Sequence, residues 1–194
     1  MLYEINCNCI ISQLFYKINF MKKYLFIAIC FSITSFCAQE IEKTKEEILL
    51  AARIPEWVMP IIEKNNLQKL YCISDTINPF YLEADFNGDK EVDIALFMIC
   101  KETGKAGIIV IHRKINMYYV LGGGKDFGMG DSMSWVKNWN VYRGKNLTSL
   151  AGGSKIVALK NPAIRIYKTE DISAYFYWAG KKYKTFNQVN KKIN

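Results

Sequence analysis

A chain of 194 residues, 51% hydrophobic and 14% aromatic, has the bulk for one core and is short for two. Its formal charge of +8 bears on solubility and on association with anionic surfaces, not on fold or reaction. Its single histidine, His112, excludes a metal centre built from several imidazoles.

The chain opens with residues 1–20, which read as a start placed ahead of the true one or as an extended leader. Met21, Lys22 and Lys23 then precede an apolar run over 24–37 that gives way to Gln39 and Glu40. A basic start, an apolar centre and a polar switch predict a signal peptide over 21–38, cut after Ala38. The run falls short of the roughly 20 residues a membrane span needs. Cys37 offers a second route, lipidation, although Phe36 stands where a small residue is expected; membrane attachment is expected only if that cysteine is lipidated. The expected location is therefore periplasmic or extracellular, with residues 39–194 as one domain and a charge of +6 after cleavage. In such a compartment Cys72 and Cys100 read either as a bridge, stabilising by about 3–4 kcal/mol, or as two buried thiols.

Residues 42–53 are rich in Lys, Glu, Leu and Ala, and Ile41, Ile48, Leu49 and Ala52 share a stripe, which predicts an N-terminal amphipathic helix. Pro55 and Pro60 interrupt it, and a second short helix is expected over 60–65. From residue 70 onward short β-branched and aromatic runs alternate with turn residues. Strands are predicted at 70–74, 80–84, 92–100, 107–112, 117–121, 155–159, 164–167, 174–178 and 183–186. Gly104 and Gly180 supply tight hairpin turns. The fold class is α+β, mainly antiparallel β-sheet in hairpins and a meander, with an N-terminal helix packed on or beside it.

Between two of these strands, Asp85, Asn87, Asp89 and Asp93 fall at positions one, three, five and nine of a tight loop, with Gly88 inside it. Calcium takes six to eight oxygens at roughly 2.3–2.6 Å from carboxylates, amides, a backbone carbonyl and water. The four side chains, with the carbonyl of Glu91 at position seven, match that need. Asn87-Gly88 is also a good hairpin turn without any metal, but that reading leaves three clustered carboxylates unexplained. Lys90 stands where a glycine is usual, and position twelve is Leu96 and not glutamate, so the expected ion is structural and weakly held.

The run D-F-N-G-D-K-E-V-D-I-A-L over 85–96 resembles the strand-flanked calcium loop of FG-GAP and VCBS-type repeats. With the Gly-rich stretch at 121–130 and the tract Y-W-A-G-K-K-Y at 177–183, the chain also resembles a group of exported bacterial proteins of no known activity. The resemblance implies Asp85, Asn87, Asp89 and Asp93 as side-chain ligands and Glu91 as a carbonyl ligand. It does not imply a propeller, since one copy of the loop cannot make four blades.

Other features carry less. The stretch Leu121-Gly122-Gly123-Gly124-Lys125-Asp126 lacks the spacing of a phosphate loop, with Tyr119 in place of its first glycine and Asp126 in place of Ser or Thr; 122–131 reads as a mobile connection or, alternatively, as a functional binding loop with Asp126 and Asp131 as its polar contacts. His112 has no Gly-x-Ser-x-Gly partner motif, so an ordinary side chain, exposed or hydrogen-bonded, is expected. Trp135, Trp139, Trp178, Tyr118, Tyr119, Tyr175 and Tyr177 read as core or as a stacking face for sugar or peptide. Lys181, Lys182, Lys184, Lys191 and Lys192 read as a solvated rim. The functional expectation is an exported, non-catalytic binding module of the cell envelope with a structural calcium-type loop at 85–93. Its partner is an anionic envelope polymer or a secreted protein, with no nucleic acid expected. A hydrolase of envelope polymers with unassigned carboxylates, and an inhibitor that captures a secreted protein, are the alternatives.

Overall fold

The computed structural model describes residues 52–149, 155–169 and 172–189. Packing divides the chain after Arg53, and the helices and strands below belong to the unit beginning at Ile54. The expected leader, signal peptide and Cys37 lie outside the described residues. So does the helix expected over 42–53, apart from Ala52 and Arg53, which form a turn.

Helix α1 (Val58–Lys64) buries Val58, Ile61 and Ile62, whose spacing of three and four sets them on one stripe. Pro60 sits in the first turn, where a missing N–H leaves no helical bond unmade. Asn65 ends the helix by donating both its backbone N–H and its Nδ2 to the Ile61 carbonyl, at 3.2 and 2.8 Å. Asn66 then turns left-handed at φ 53°, and α2 (Leu67–Leu70) follows with Leu67 buried.

The first sheet comprises β1 (Tyr71–Ile73), β2 (Tyr81–Ala84), β3 (Asp93–Cys100), β4 (Ala106–His112) and β5 (Met117–Gly122). It is antiparallel, in the order β1–β3–β4–β5. β2 shares the β3 edge with β1, because Ile73 faces Met98 while Tyr81 faces Leu96. The second sheet comprises β6 (Asn138–Tyr142), β9 (Ala163–Thr169), β10 (Ile172–Trp178) and β11 (Tyr183–Val189) in the order β11–β10–β9–β6. Strands β7 (Asn146–Ser149) and β8 (Lys155–Ala158) pair as a separate hairpin.

The α+β, mainly antiparallel character agrees with the sequence reading, but the strands divide between two sheets. The period of two reveals which face of a strand is apolar and says nothing of which sheet it joins. β3 and β4 are buried along almost their whole length, as their unbroken apolar runs require of strands covered on both faces. On one face Ile94, Leu96, Met98, Ile109 and Ile111 pack with the helical residues Val58, Ile61, Ile62 and Leu67. On the other, Ala95, Phe97, Ile108 and Val110 pack with Trp139, Ile164, Ile166 and Phe176 of the second sheet. Each fully buried aliphatic side chain stabilises by about 1.5–3 kcal/mol, so these two layers hold the unit together. Leu147 of the hairpin packs on the outer face of the second sheet against Tyr175 and Phe186.

The connection after β5 is tied down. Gly123 N–H donates to the Ala106 carbonyl at 3.0 Å, Gly124 N–H to the Asp131 carbonyl at 2.8 Å, and Phe127 is buried in the core. Asp131 pairs with Lys105, and Asp126 accepts Gly128 N–H at 2.8 Å. Gly107 is required by close approach, since a Cβ there would lie 2.5 Å from the Leu121 carbonyl oxygen.

Cys72 and Cys100 are both free thiols, Cys100 buried as expected and Cys72 exposed, against the expectation of two buried sulfurs. Cys72 faces Ile99 and Tyr71 faces Cys100, so the alternation along the strand sends the two sulfurs to opposite faces. Among the described residues no helix is long and apolar enough to cross a membrane.

Candidate metal loop and the buried histidine beside it

Loop 85–93 joins β2 to β3, closed by the pairing of Ala84 with Asp93. Two residues fix it to the core. Phe86 and Asp93 are both fully buried, the ring within the layer between the sheets.

The remaining loop side chains organise its backbone. Asp85 Oδ1 accepts the N–H groups of Gly88 and Asp89 at 2.6 and 3.0 Å, and its Oδ2 accepts Lys90 N–H at 2.9 Å. Asn87 Oδ1 accepts Asp89 N–H at 2.9 Å, and Asp89 Oδ1 accepts Glu91 N–H at 2.9 Å. Asn87 Nδ2 donates to Asp89 Oδ2 at 2.9 Å. Asp93 accepts Phe86 and Asn87 N–H on Oδ2, at 3.0 and 3.3 Å, and Arg113 N–H on Oδ1 at 3.2 Å. The Glu91 carboxylate lies 4.0 Å from the Arg113 guanidinium.

The sharp turn that glycine usually makes falls on Lys90, held at φ 72°. For a residue with a Cβ this conformation costs roughly 1–2 kcal/mol. Three N–H bonds to Asp85 surround that turn and hold it. Gly88, at φ 83°, lies under the Asn161 side chain, which a Cβ would meet at 2.6 Å. The loop is thereby seated against the turn before β9.

The five expected ligands are thus brought into one loop, with the carboxylates of Asp85, Asp89 and, through Oδ2, Asp93 turned toward the loop's own amides and that of Glu91 toward Arg113. Among the described residues no group of three or more His, Cys, Asp or Glu is placed to hold a metal ion. By chemistry the donor set fits a hard cation, being all oxygen. A carboxylate oxygen has more than one lone pair. The single bonds at Asp85 Oδ2, Asp89 Oδ1 and Asp89 Oδ2 leave each oxygen capacity for an ion.

Beside the loop lies a polar cluster that sequence reasoning did not assemble. His112, fully buried, sets Nε2 2.8 Å from Tyr183 Oη and 4.0 Å from Asp93 Oδ2, while its Nδ1 is buried without a partner. Tyr119, Trp178 and Tyr183 surround the imidazole at ring-centre distances of 4.8, 5.0 and 5.7 Å. Of the two ordinary roles expected for His112, exposed or hydrogen-bonded, the structure shows the second, with the ring fully buried. Only the packing of the two sheets brings Tyr183 to it, and no local signal encodes that.

Burial pushes the Asp93 carboxyl up to about 7; the Asp89 charge adds to this, and the N–H bonds from Arg113, Phe86 and Asn87 oppose it. Burial pulls His112 down to about 4, against the charges of Asp89 and Asp85. Burial also raises the Tyr183 phenol, which keeps its proton. At 4.0 Å an ion pair between Asp93 and His112 would gain Coulomb energy, but desolvating both charges outweighs that gain. A neutral acid beside a neutral imidazole is the favoured form between the two values. For Asp89, burial works upward, but the Glu91 N–H, the Asn87 amide and the Lys114 charge hold it below the usual carboxylate range.

Of the two readings of the aromatic residues, core or stacking face, the structure favours the first. Trp139 and Tyr175 are buried in separate clusters, Tyr118 packs toward the helices, and Tyr119 and Trp178 are spent on His112. Comparison with protein-family models, curated proteins and solved structures gives no match.

Proposed function

We propose that the chain is an exported, non-catalytic binding module whose loop 85–93 takes calcium as a structural clamp. The observation that carries this reading is the loop itself: one turn anchored by Phe86 and Asp93, with its acidic side chains already organised by backbone bonds. Asp85, Asn87 and Asp89 would hold the ion, with Asp93 and the Glu91 carbonyl completing the set. The ion would supply charge neutralisation, relieving the mutual repulsion of the carboxylates, and would tie the start of β3 to the end of β2.

Binding to the folded state alone raises stability by about 2.7 kcal/mol at a hundredfold excess over the dissociation constant. The melting temperature is therefore expected to climb with calcium and to return on chelation. Asp89→Ala removes a side chain whose hydrogen bonds stay within the loop, so the fold should persist while the calcium response is lost. Melting curves indifferent to calcium and chelator in the unaltered chain would reduce the loop to a self-satisfied hairpin turn.

A further inference from the structure

The charge of the chain is unevenly distributed. After Asp131 it carries twelve Lys or Arg and two acids, Glu170 and Asp171, whereas everything up to Asp131 carries fourteen cations and sixteen acids. Strand pairing gathers much of the excess at one end of the second sheet. Tyr142 pairs with Ala163, Ile164 with Phe176, and Trp178 with Tyr183, so the exit of β6, the entry of β9 and the β10–β11 turn lie side by side. Arg143 and Lys145 follow β6, Lys160 precedes β9, Lys181 and Lys182 form the turn, and Lys184 stands at the start of β11. All six are exposed, and among the described residues none pairs with a carboxylate. Leu159 N–H donates to the Lys145 carbonyl at 2.8 Å and holds two of these segments together. The acidic loop 85–93 meets this end where Asn161 covers Gly88. Asp85 and Asp93 there are engaged by backbone N–H groups.

We infer that this end of the second sheet is a binding surface for an extended anionic polysaccharide, a partner class that rests on the reading of the chain as an exported binding module. Four strands side by side span three inter-strand spacings, about 14 Å. That width suits several charges along a polymer better than one small anion. Five of the six cations are lysines, which act as flexible point charges and not as the rigid fork that reads one fixed anion. Single-stranded nucleic acid is disfavoured because it uses aromatic platforms. Of the large rings at this end, Trp178 and Tyr183 are packed edge-on against each other at 5.2 Å and around His112, while Tyr142 and Tyr177 are half-buried against the cluster of Leu147, Tyr175 and Phe186, Tyr142 edge-on to Tyr175 at 5.0 Å. A lipid surface is disfavoured because the exposed large apolar residues are Leu70, Val92, Ile99, Ile115, Met117 and Ile156, none of them in these turns.

The test uses the full chain and polygalacturonate as the probe, titrated in chelator at low and high salt. Binding is expected at low salt, falling as the Debye length shortens below about 10 Å. The variant Lys181→Gln, Lys182→Gln, Lys184→Gln should lose affinity by about tenfold or more. Lys64→Gln, Lys69→Gln, Lys101→Gln, equal in charge change but placed at the helices and the β3–β4 turn, should leave it within about twofold. Circular dichroism and melting temperature establish that both variants fold. Equal losses in the two variants, no binding, or tighter binding of single-stranded DNA or anionic lipid vesicles at matched charge would each overturn the inference. Working in chelator separates this outcome from the calcium clamp, which stands or falls on the melting curves.

Discussion

Asp93 and His112 are two buried groups whose shifts oppose each other in their effect on stability. The carboxyl of Asp93 is raised to about 7 from an ordinary value near 4, so the folded state keeps a proton that the unfolded state has released. Its contribution is full below that ordinary value and is lost as pH rises through about 7. His112 is lowered to about 4 from about 6.5, so its contribution is full above 6.5 and is lost as pH falls through about 4. Between roughly pH 4 and 6.5 the two slopes cancel, and the pair adds little pH dependence to the native chain. Separate substitutions should expose each slope. Asp93→Asn is expected to lose stability on acidification from pH 6.5 to 4, and His112→Gln to lose it on going from pH 4 to 7. Each change is on the order of 2 kcal/mol across its window. Urea midpoints taken across this range check both, and parallel profiles in the two variants would show that the groups do not titrate as their burial requires.

At the scale of elements, loop and sheet are coupled through one side chain. Phe86 is fully buried between the sheets although it belongs to a turn. Phe86→Ala is therefore expected to destabilise the unit by about 3–5 kcal/mol, the range for emptying a buried aromatic site, where an ordinary loop residue would lose a few tenths. Chemical denaturation measures this, and a loss below about 1 kcal/mol would mean that the loop is not anchored in the core. Much of this element-level design is legible in the sequence. β3 and β4 announce themselves as unbroken apolar runs, and the boundaries of β1, β2 and β5 fall within a residue or two of expectation. β6 and β7 are not legible there, because Asn138, Asn140 and Asn146 carry turn chemistry and the apolar alternation around Trp139 and Leu147 is too short to outweigh it. Trp139 becomes core because its Nε1 donates to the Pro79 carbonyl at 2.7 Å, a partner sixty residues away. The acidic spacing of loop 85–93 is visible in full. The use of those acids as acceptors for the loop's own N–H groups depends on backbone directions that composition does not specify.

At the scale of the whole molecule, the acidic loop and the basic end of the second sheet share one border. The loop lies against the turn that carries Lys160 and Asn161, through the contact of Asn161 with Gly88. Asp85, Asp89 and Glu91 there repel an anionic polymer that Lys160, Lys181 and Lys182 attract. A divalent ion in the loop would offset most of the charge of those three carboxylates and weaken that repulsion. By reciprocity, whatever factor calcium adds to polymer affinity, the polymer must add to calcium affinity. Over a separation of several ångströms in water the effect is modest, on the order of 1 kcal/mol or about fivefold. Polygalacturonate titrations with calcium and with chelator should differ by about that factor in the unaltered chain. They should not differ in Asp89→Ala, whose loop has lost a ligand while the lysines remain. Because polyuronates themselves bind calcium, the comparison has to be repeated with a sulfated dextran, and the same ratio from both polymers would locate the effect on the protein. A ratio near one in the unaltered chain, with both ligands binding, would show that the loop and the basic end act independently.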